Sequence, residues 1–231
     1  MNYVEVVEAF KSLQGEGKYL GHVAYFIRFK KCNMYGKCLF KCDTFDRVKY
    51  LTPMKLSFDT IIDNIKDVHH LVITGGEPTL YNMDVLALLQ HIHKHCNIIR
   101  LPNALVEIET NGYKLEQLLR DYSNDIYCDD NYVHLHINYS PKQFPLYTDA
   151  LDLALLMKNT DFIIKLVVGD PTLDFTIKVL EQYSQYRKYI YLMPYGDNEQ
   201  ELKHSYKLVR DLTIKYKVRA TTRLHILFNC L

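Results

Sequence analysis

Apolar positions along the chain fall into two alternating patterns. Short, nearly continuous apolar runs at Val23–Phe29, Leu71–Thr74, Val106–Thr110, Tyr132–Asn138, Phe162–Val168 and Tyr189–Met193 read as strands. Between them, Phe58–Val68, Met83–His95, Lys114–Tyr122, Asp149–Met157 and Thr172–Tyr186 read as helices. The clearest helix comes last, where Leu202, Tyr206, Val209, Leu212 and Tyr216 form one apolar stripe at helical spacing. Arg223–Phe228 reads as a final strand. A β-α-β-α succession predicts an α/β fold of about six parallel strands with covering helices, as an open doubly wound sheet or a partial (β/α) barrel. In either architecture ligands bind at the carboxyl ends of the strands. Internal repeats and linkers are absent, so residues 1–231 read as a single domain with enough chain to bury a sizeable core.

Composition narrows the class. Hydrophobic residues make up 48% and charged residues 24%, which excludes disorder, collagen and a disulfide miniprotein. With 28 Lys and Arg against 27 Asp and Glu, no large basic surface is expected, so nucleic acid is not a direct partner. The opening MNYVEVVEAFKSLQ lacks the basic and apolar regions of a signal peptide. No apolar run reaches the ~18 residues of a membrane span. A soluble, cytoplasmic protein with no membrane partner is expected.

Of six cysteines, Cys96, Cys128 and Cys230 are scattered and read as small buried hydrophobes. Cys32, Cys38 and Cys42 form a C-x5-C-x3-C run directly after a strand. Three local thiolates suit a 4Fe–4S cluster with one iron open to another ligand. Zinc with a fourth ligand such as His22, or plain core, are the alternatives. Thr74-Gly75-Gly76-Glu77-Pro78 ends a strand, where glycines let backbone approach a ligand or simply form a turn. Leu13-Gln14-Gly15-Glu16-Gly17 offers an amide and a carboxylate suited to a polar heterocycle. Ala24, Phe26 and Arg28 share one strand face, and an interior guanidinium needs an anion such as a substrate carboxylate. The Thr44 hydroxyl, two residues past the last clustered cysteine, suits a hard cation. Ser140-Pro141-Lys142 places a hydroxyl and an ammonium at a strand end. His134 and His136 share a strand face, as a metal pair or as satisfied core or rim residues. His91 and His95 stand one helical turn apart, a spacing that binds metal but also suits a solvated helix face. Arg223 and His225 project to one side of the last strand.

Taken together, these motifs resemble the 7-carboxy-7-deazaguanine synthase family of radical S-adenosylmethionine enzymes, from about Phe10 to Phe228. The Leu-Gln-Gly-Glu-Gly segment, Cys42-Asp43-Thr44, Glu109-Thr-Asn-Gly112 and Arg223-Leu-His225 carry the resemblance. Gly-Gly-Glu-Pro is shared by many radical enzymes. The cysteine spacing departs from the superfamily's C-x3-C-x2-C, and Lys41 stands where an aromatic often precedes the last cysteine. The resemblance implies a partial (β/α) barrel. It implies a 4Fe–4S cluster on Cys32, Cys38 and Cys42, and S-adenosylmethionine near Lys41, Asp43, Gly75, Gly76, Glu77, Ser140, Pro141 and Lys142. It implies magnesium on Thr44 and substrate contacts from Leu13, Gln14, Gly15, Glu16, Arg28, Thr74, His225 and the Leu231 carboxylate. The implied reaction turns 6-carboxy-5,6,7,8-tetrahydropterin into 7-carboxy-7-deazaguanine with loss of ammonia. Its implied partners are a flavodoxin- or ferredoxin-type electron donor and a second copy of the chain in a homodimer. A glycyl-radical activase and a non-catalytic metal protein are the alternatives. The first would act on a protein rather than a small carboxylated molecule, and the second would hold zinc without iron.

Overall fold

The computed structural model describes residues 2–40, 42–99, 104–125 and 133–229. Two strands that the apolar runs did not indicate open the chain. Strand β1 (Tyr3–Val6) buries Val4 and Val6 while Glu5 faces out, and β2 (Glu8–Leu13) follows it. The chain continues as β3 (Val23–Phe29), α1 (Asp43–Val48), β4 (Met54–Ser57), α2 (Phe58–Val68), β5 (His70–Gly75) and α3 (Asn82–Ile99). Next come β6 (Ala104–Thr110), α4 (Leu115–Asp125), β7 (Val133–Tyr139), α5 (Thr148–Leu156), β8 (Thr160–Val168) and α6 (Leu173–Gln182). The last elements are β9 (Ile190–Pro194), α7 (Glu199–Tyr216), β10 (Arg219–Ala220) and α8 (Leu224–Leu227).

The main sheet has eight strands in the order β10-β9-β8-β7-β6-β5-β3-β2. All its pairings are parallel except β2 with β3. Strands β1 and β4 form a separate antiparallel pair. Parallel strands are covered on both faces, so they read as continuous apolar runs. The first five residues of β5 are all buried. The six expected parallel strands therefore stand, each within two residues of its predicted bounds. Helix α2 matches its prediction. The Ser57 side chain caps it by accepting from the Thr60 N–H, Phe58, Ile61, Ile62 and Ile65 form its buried face, and His69 at φ 58° stops it.

The C-terminus departs from expectation, because Arg223–Phe228 is not a strand. The last strand is Arg219–Ala220, and the Thr221 N–H still reaches the Leu192 carbonyl on β9. The chain then leaves the sheet: the Leu224 N–H donates 2.8 Å to the Gly15 carbonyl, and the N–H groups of Ile226 to Phe228 bond back locally as α8. The alternating apolar pattern had no sheet face to bury, and Leu227 and Phe228 stay exposed. Likewise Thr172–Tyr186 is not one helix but α6 followed by a 3-10 turn over Ser184–Tyr189.

The two edges of the main sheet are not paired with each other. They meet at one end through loops: the Gly17 N–H donates to the Thr221 hydroxyl at 3.0 Å, beside the Leu224–Gly15 bond. An open, mostly parallel sheet is thus drawn round into a partial barrel whose mouth lies at the carboxyl ends of its strands. Among the described residues, no helix is long and apolar enough to cross a membrane.

Candidate active site

A cavity of about 560 Å³ opens at that mouth. Cys32, Cys38 and Cys42, from the loop between β3 and α1, stand in its wall with Gly75 and Gly76 from the end of β5. The Cys32 sulfur receives the Met34 backbone N–H at 3.3 Å, and the Asn111 amide nitrogen lies 3.9 Å from it. Burial pushes the Cys32 thiol up to about 11 against the Met34 N–H, and Glu77, Cys38 and Cys42 add to the rise. The Cys38 thiol is raised by burial too, opposed by the charge of Lys142.

The Gly-Gly-Glu-Pro turn has a structural reason of its own. A Cβ on Gly75 would meet the Phe29 carbonyl oxygen at 2.2 Å, and one on Gly76 the Lys31 carbonyl oxygen at 2.3 Å. The turn lies flat against the end of β3, where the Gly76 and Glu77 N–H groups donate to Phe29 and Lys31. Glu77 is fully buried behind the wall. Its carboxylate accepts from the Thr110 hydroxyl at 2.6 Å, the Asn111 N–H at 2.6 Å, and the Thr79 N–H and hydroxyl. It thereby orders the end of β6 and the Asn111 amide that faces Cys32.

Across the cavity, charges converge on the loop after β2. The Glu16 carboxylate takes Lys165 Nζ at 2.6 Å and Arg223 Nε at 3.2 Å, with His225 Nε2 at 4.0 Å. Burial works to raise Glu16, but the charges of Lys165, Arg223 and His225 hold it well below the usual carboxylate range. Burial works to lower Lys165, and Glu16 and Glu109 hold it above its ordinary range instead. Gln14 donates 3.3 Å to Glu109, which also accepts from the Thr74 hydroxyl at 2.7 Å. Glu8 accepts from Arg28 Nε at 2.7 Å and lies 2.9 Å from Arg47 Nη2. Deeper in the barrel, Glu107 meets His70 Nε2 at 3.1 Å and the Asn138 amide at 2.7 Å.

Comparison with known proteins decides the family. A 7-carboxy-7-deazaguanine synthase from Methanospirillum hungatei JF-1 is 30% identical over 221 residues, covering 94% of this chain and 83% of its own length. One from Pyrobaculum aerophilum is 27% identical across 97% of this chain and 94% of its own. The chain belongs to the 7-carboxy-7-deazaguanine synthase family. It is therefore an enzyme of the radical S-adenosylmethionine type, as its motifs led us to expect. The crystal structure of QueE from Escherichia coli shares the fold, with a TM-score of 0.62 at 22% identity over 96% of this chain and 95% of that one. No family model matches the chain.

In this 7-carboxy-7-deazaguanine synthase relative, Leu13, Gln14, Gly15, Glu16, Arg28, Thr44, Thr74, Ser140, Lys142 and His225 share the cavity wall with the cysteines. Pro141 and Glu77 are not part of that wall. Lys41 and Leu231 lie outside the described residues, as do Cys128 and Cys230, and Asp43 is described only as the backbone that starts α1. His22 packs edge-on to the Tyr19 and His70 rings rather than joining the cysteines. His134 and His136 both reach Asp161, at 3.1 and 2.5 Å; His134 is half-buried, whereas His136 is fully buried and its Nε2 has no hydrogen-bond partner among the described residues. The aromatic missing at Lys41 has a counterpart one residue earlier. Phe40 lines the cavity, packs edge-on to Tyr195 and lies 4.5 Å below the Lys142 ammonium. The sequence reading passed over Arg47, Asn138, Lys165 and Tyr195 as wall residues. Lys165 carried a usable signal: a lysine inside the apolar run Phe162–Val168 must be paired if that strand is buried.

Proposed function

We propose that this enzyme converts 6-carboxy-5,6,7,8-tetrahydropterin to 7-carboxy-7-deazaguanine with loss of ammonia. One observation carries the reading. The clustered cysteines, the Gly-Gly turn, the Leu-Gln-Gly-Glu-Gly loop, Arg28, Thr44 and His225 come from elements up to about two hundred residues apart and line one cavity.

The residues fit the cofactors the family implies. Cys32, Cys38 and Cys42 would hold a 4Fe–4S cluster. The N–H groups of Met34 and Asn111 facing the Cys32 sulfur are the donors that stabilise a thiolate ligand. The sulfurs are also spread. Among the described residues, the three cysteines do not form a set with ligand atoms all within 4.8 Å. A tetrahedral zinc would need sulfurs about 3.8 Å apart. S-adenosylmethionine would lie along Gly75, Gly76, Ser140 and Lys142, and Thr44 would offer its hydroxyl to magnesium. When bound, cluster and sulfonium supply one-electron chemistry that abstracts hydrogen from the substrate.

The chain's own residues position and shield. Gln14, Glu16, Thr74 and His225 present matched donors and acceptors to the pterin edge, and Arg28 faces the substrate carboxylate. Lys165 and Arg223 hold Glu16 ionised, so that it accepts from ring N–H groups. Bound within the cavity walls, a reactive carbon radical would be held away from bulk water. Lys41, Asp43, Pro141 and Leu231 are the remaining contacts that the resemblance implies. A flavodoxin- or ferredoxin-type protein would supply electrons to a homodimer. The cytoplasm is the proposed compartment, where thiols such as Cys32, Cys38, Cys42 and Cys96 stay free. The test is anaerobic reconstitution with iron and sulfide, then mass spectrometry of products from the carboxylated pterin, S-adenosylmethionine, magnesium and a reductant. Formation of 7-carboxy-7-deazaguanine is expected. Cofactor cleavage without that product would overturn the substrate assignment, and zinc without iron would overturn the cluster.

A further inference from the structure

We propose that Asp59, His91 and His95 form a second metal site, for a divalent transition ion of the zinc class, that clasps α2 to α3 away from the barrel mouth. Among the described residues, this is the set of three side chains from His, Cys, Asp and Glu whose ligand atoms all lie within 4.8 Å of one another. His91 and His95 stand one turn apart on α3, with ring centroids 4.2 Å apart, and Asp59 reaches them from the first turn of α2.

The geometry suits metal ligands. Asp59 Oδ1 lies 3.6 Å from His91 Nε2, and that nitrogen is buried with no hydrogen-bond partner. The gap is too long for a hydrogen bond. It is close to the ~3.4 Å that separates two ligands each about 2.1 Å from a tetrahedral ion. His95 is oriented as a ligand too. Its Nδ1 lies 3.3 Å from the His91 carbonyl oxygen, which can only accept, so Nδ1 carries the proton and Nε2 keeps its lone pair. The Phe58 ring, 5.1 Å from that of His91, packs beside the pair.

The donor set selects the ion. Two imidazoles and one carboxylate suit Zn²⁺, Ni²⁺ or Co²⁺, whereas Mg²⁺ and Ca²⁺ prefer oxygen alone. The Asp59 side chain is 82% exposed, so an ion enters from solvent and water fills the remaining position.

The test uses the full chain with its cluster reconstituted, so that the cysteines are occupied. After equilibrium dialysis against zinc, metal analysis should find one zinc per chain beyond the iron. Asp59→Asn, at an exposed position, and His95→Ala, at a half-buried one, should each weaken that binding at least tenfold. A Cys32→Ser/Cys38→Ser/Cys42→Ser variant should keep it while losing iron. Cobalt should give weak visible bands without sulfur charge transfer. Zinc uptake unchanged in Asp59→Asn and His95→Ala, uptake lost with the cysteines, or no uptake by the wild type would each overturn the site. None of these outcomes bears on the synthase reaction.

Discussion

Lys165 Nζ lies 2.6 Å from Glu16 Oε2, tying the middle of β8 to the loop that follows β2. Both groups are almost wholly withdrawn from water, with side-chain exposures of 6% and 15%. Removing Lys165 leaves Glu16 with Arg223 as a partner, so the cost falls below the about 3–5 kcal/mol of a fully stranded buried charge. Lys165→Met is therefore expected to lower the unfolding free energy, read from urea denaturation, by about 1–3 kcal/mol and to loosen the Glu16 side chain at the cavity. Unchanged stability would show that the pair is open to solvent. Methionine matches the lysine stem in volume, so packing loss does not explain the result.

The glycines of the Gly-Gly-Glu-Pro turn make a different prediction. If they served only to admit a ligand, Gly76→Ala would weaken cofactor binding in an otherwise intact protein. A Cβ there meets the backbone of Lys31, not a flexible side chain. Gly76→Ala is expected to destabilise the fold by about 2–3 kcal/mol, as overpacking does. Thermal unfolding of the chain before reconstitution checks this, and a wild-type melting temperature would return the turn to a purely ligand-binding role.

Much of this was readable from the residues, and the failures have physical causes. Parallel strands buried on both faces leave unbroken apolar runs, so β3 and β5 to β9 could be located. The carboxyl-end rule then placed the motifs at one mouth. The edges were harder. β1 buries only Val4 and Val6 and pairs with the distant Met54–Ser57, and no local signal announces such a partner. Arg223–Phe228 alternates like a strand, yet its partners are Gly15 and its own backbone. His225 still reaches the cavity, because the Leu224–Gly15 bond seats α8 on the Glu16 loop. A Cβ on Gly15 would strike His225 Nδ1 at 2.0 Å. Pairwise charge relations such as Lys165–Glu16 and Arg47–Glu8 arise from topology, which spacing along one sequence does not encode.

The deeper polar layer predicts acid sensitivity. Burial alone would raise Glu107, but the hydrogen bond from His70, the charges of His136 and His70, and the Asn138 amide bring it down to about 2 from 4.5. A carboxylate with a depressed folded-state value stabilises the protein above its unfolded value and loses that contribution as pH falls. Stability from this group should be full above about pH 5, with about 2 kcal/mol gone by about pH 3. Urea denaturation at both pH values should show the loss in the wild type and a shallower pH slope in Glu107→Gln. Equal slopes would remove Glu107 as its source.

Ligand removal separates the two metal roles at the mouth. Cys38→Ala is expected to abolish 5′-deoxyadenosine formation, and retained formation would count against its place on the cluster. Thr44→Ala should leave the iron content and visible spectrum unchanged while weakening the dependence of turnover on magnesium. A magnesium response identical to wild type would remove Thr44 from that site.

The Glu8 carboxylate lies between two guanidiniums, 2.7 Å from Arg28 and 2.9 Å from Arg47, and both arginines line the cavity. One anion neutralises one of them, so this corner carries about one net positive charge toward the cavity, which is where a substrate carboxylate would be drawn. Arg47→Met leaves Arg28 balanced by Glu8 and removes that surplus. A lost charge-assisted hydrogen bond is worth about 1.5–3 kcal/mol. The KM for the carboxylated pterin should therefore rise about tenfold to a hundredfold, with kcat changed less. The KM for S-adenosylmethionine, which lies across the cavity near Gly75 and Lys142, should stay within twofold or so. Glu8→Gln works in the opposite sense, freeing both guanidiniums and lowering the KM for the carboxylated substrate. Equal KM values in all three proteins would mean that this arginine pair orders α1 against β2 and β3 and takes no part in binding the carboxylate.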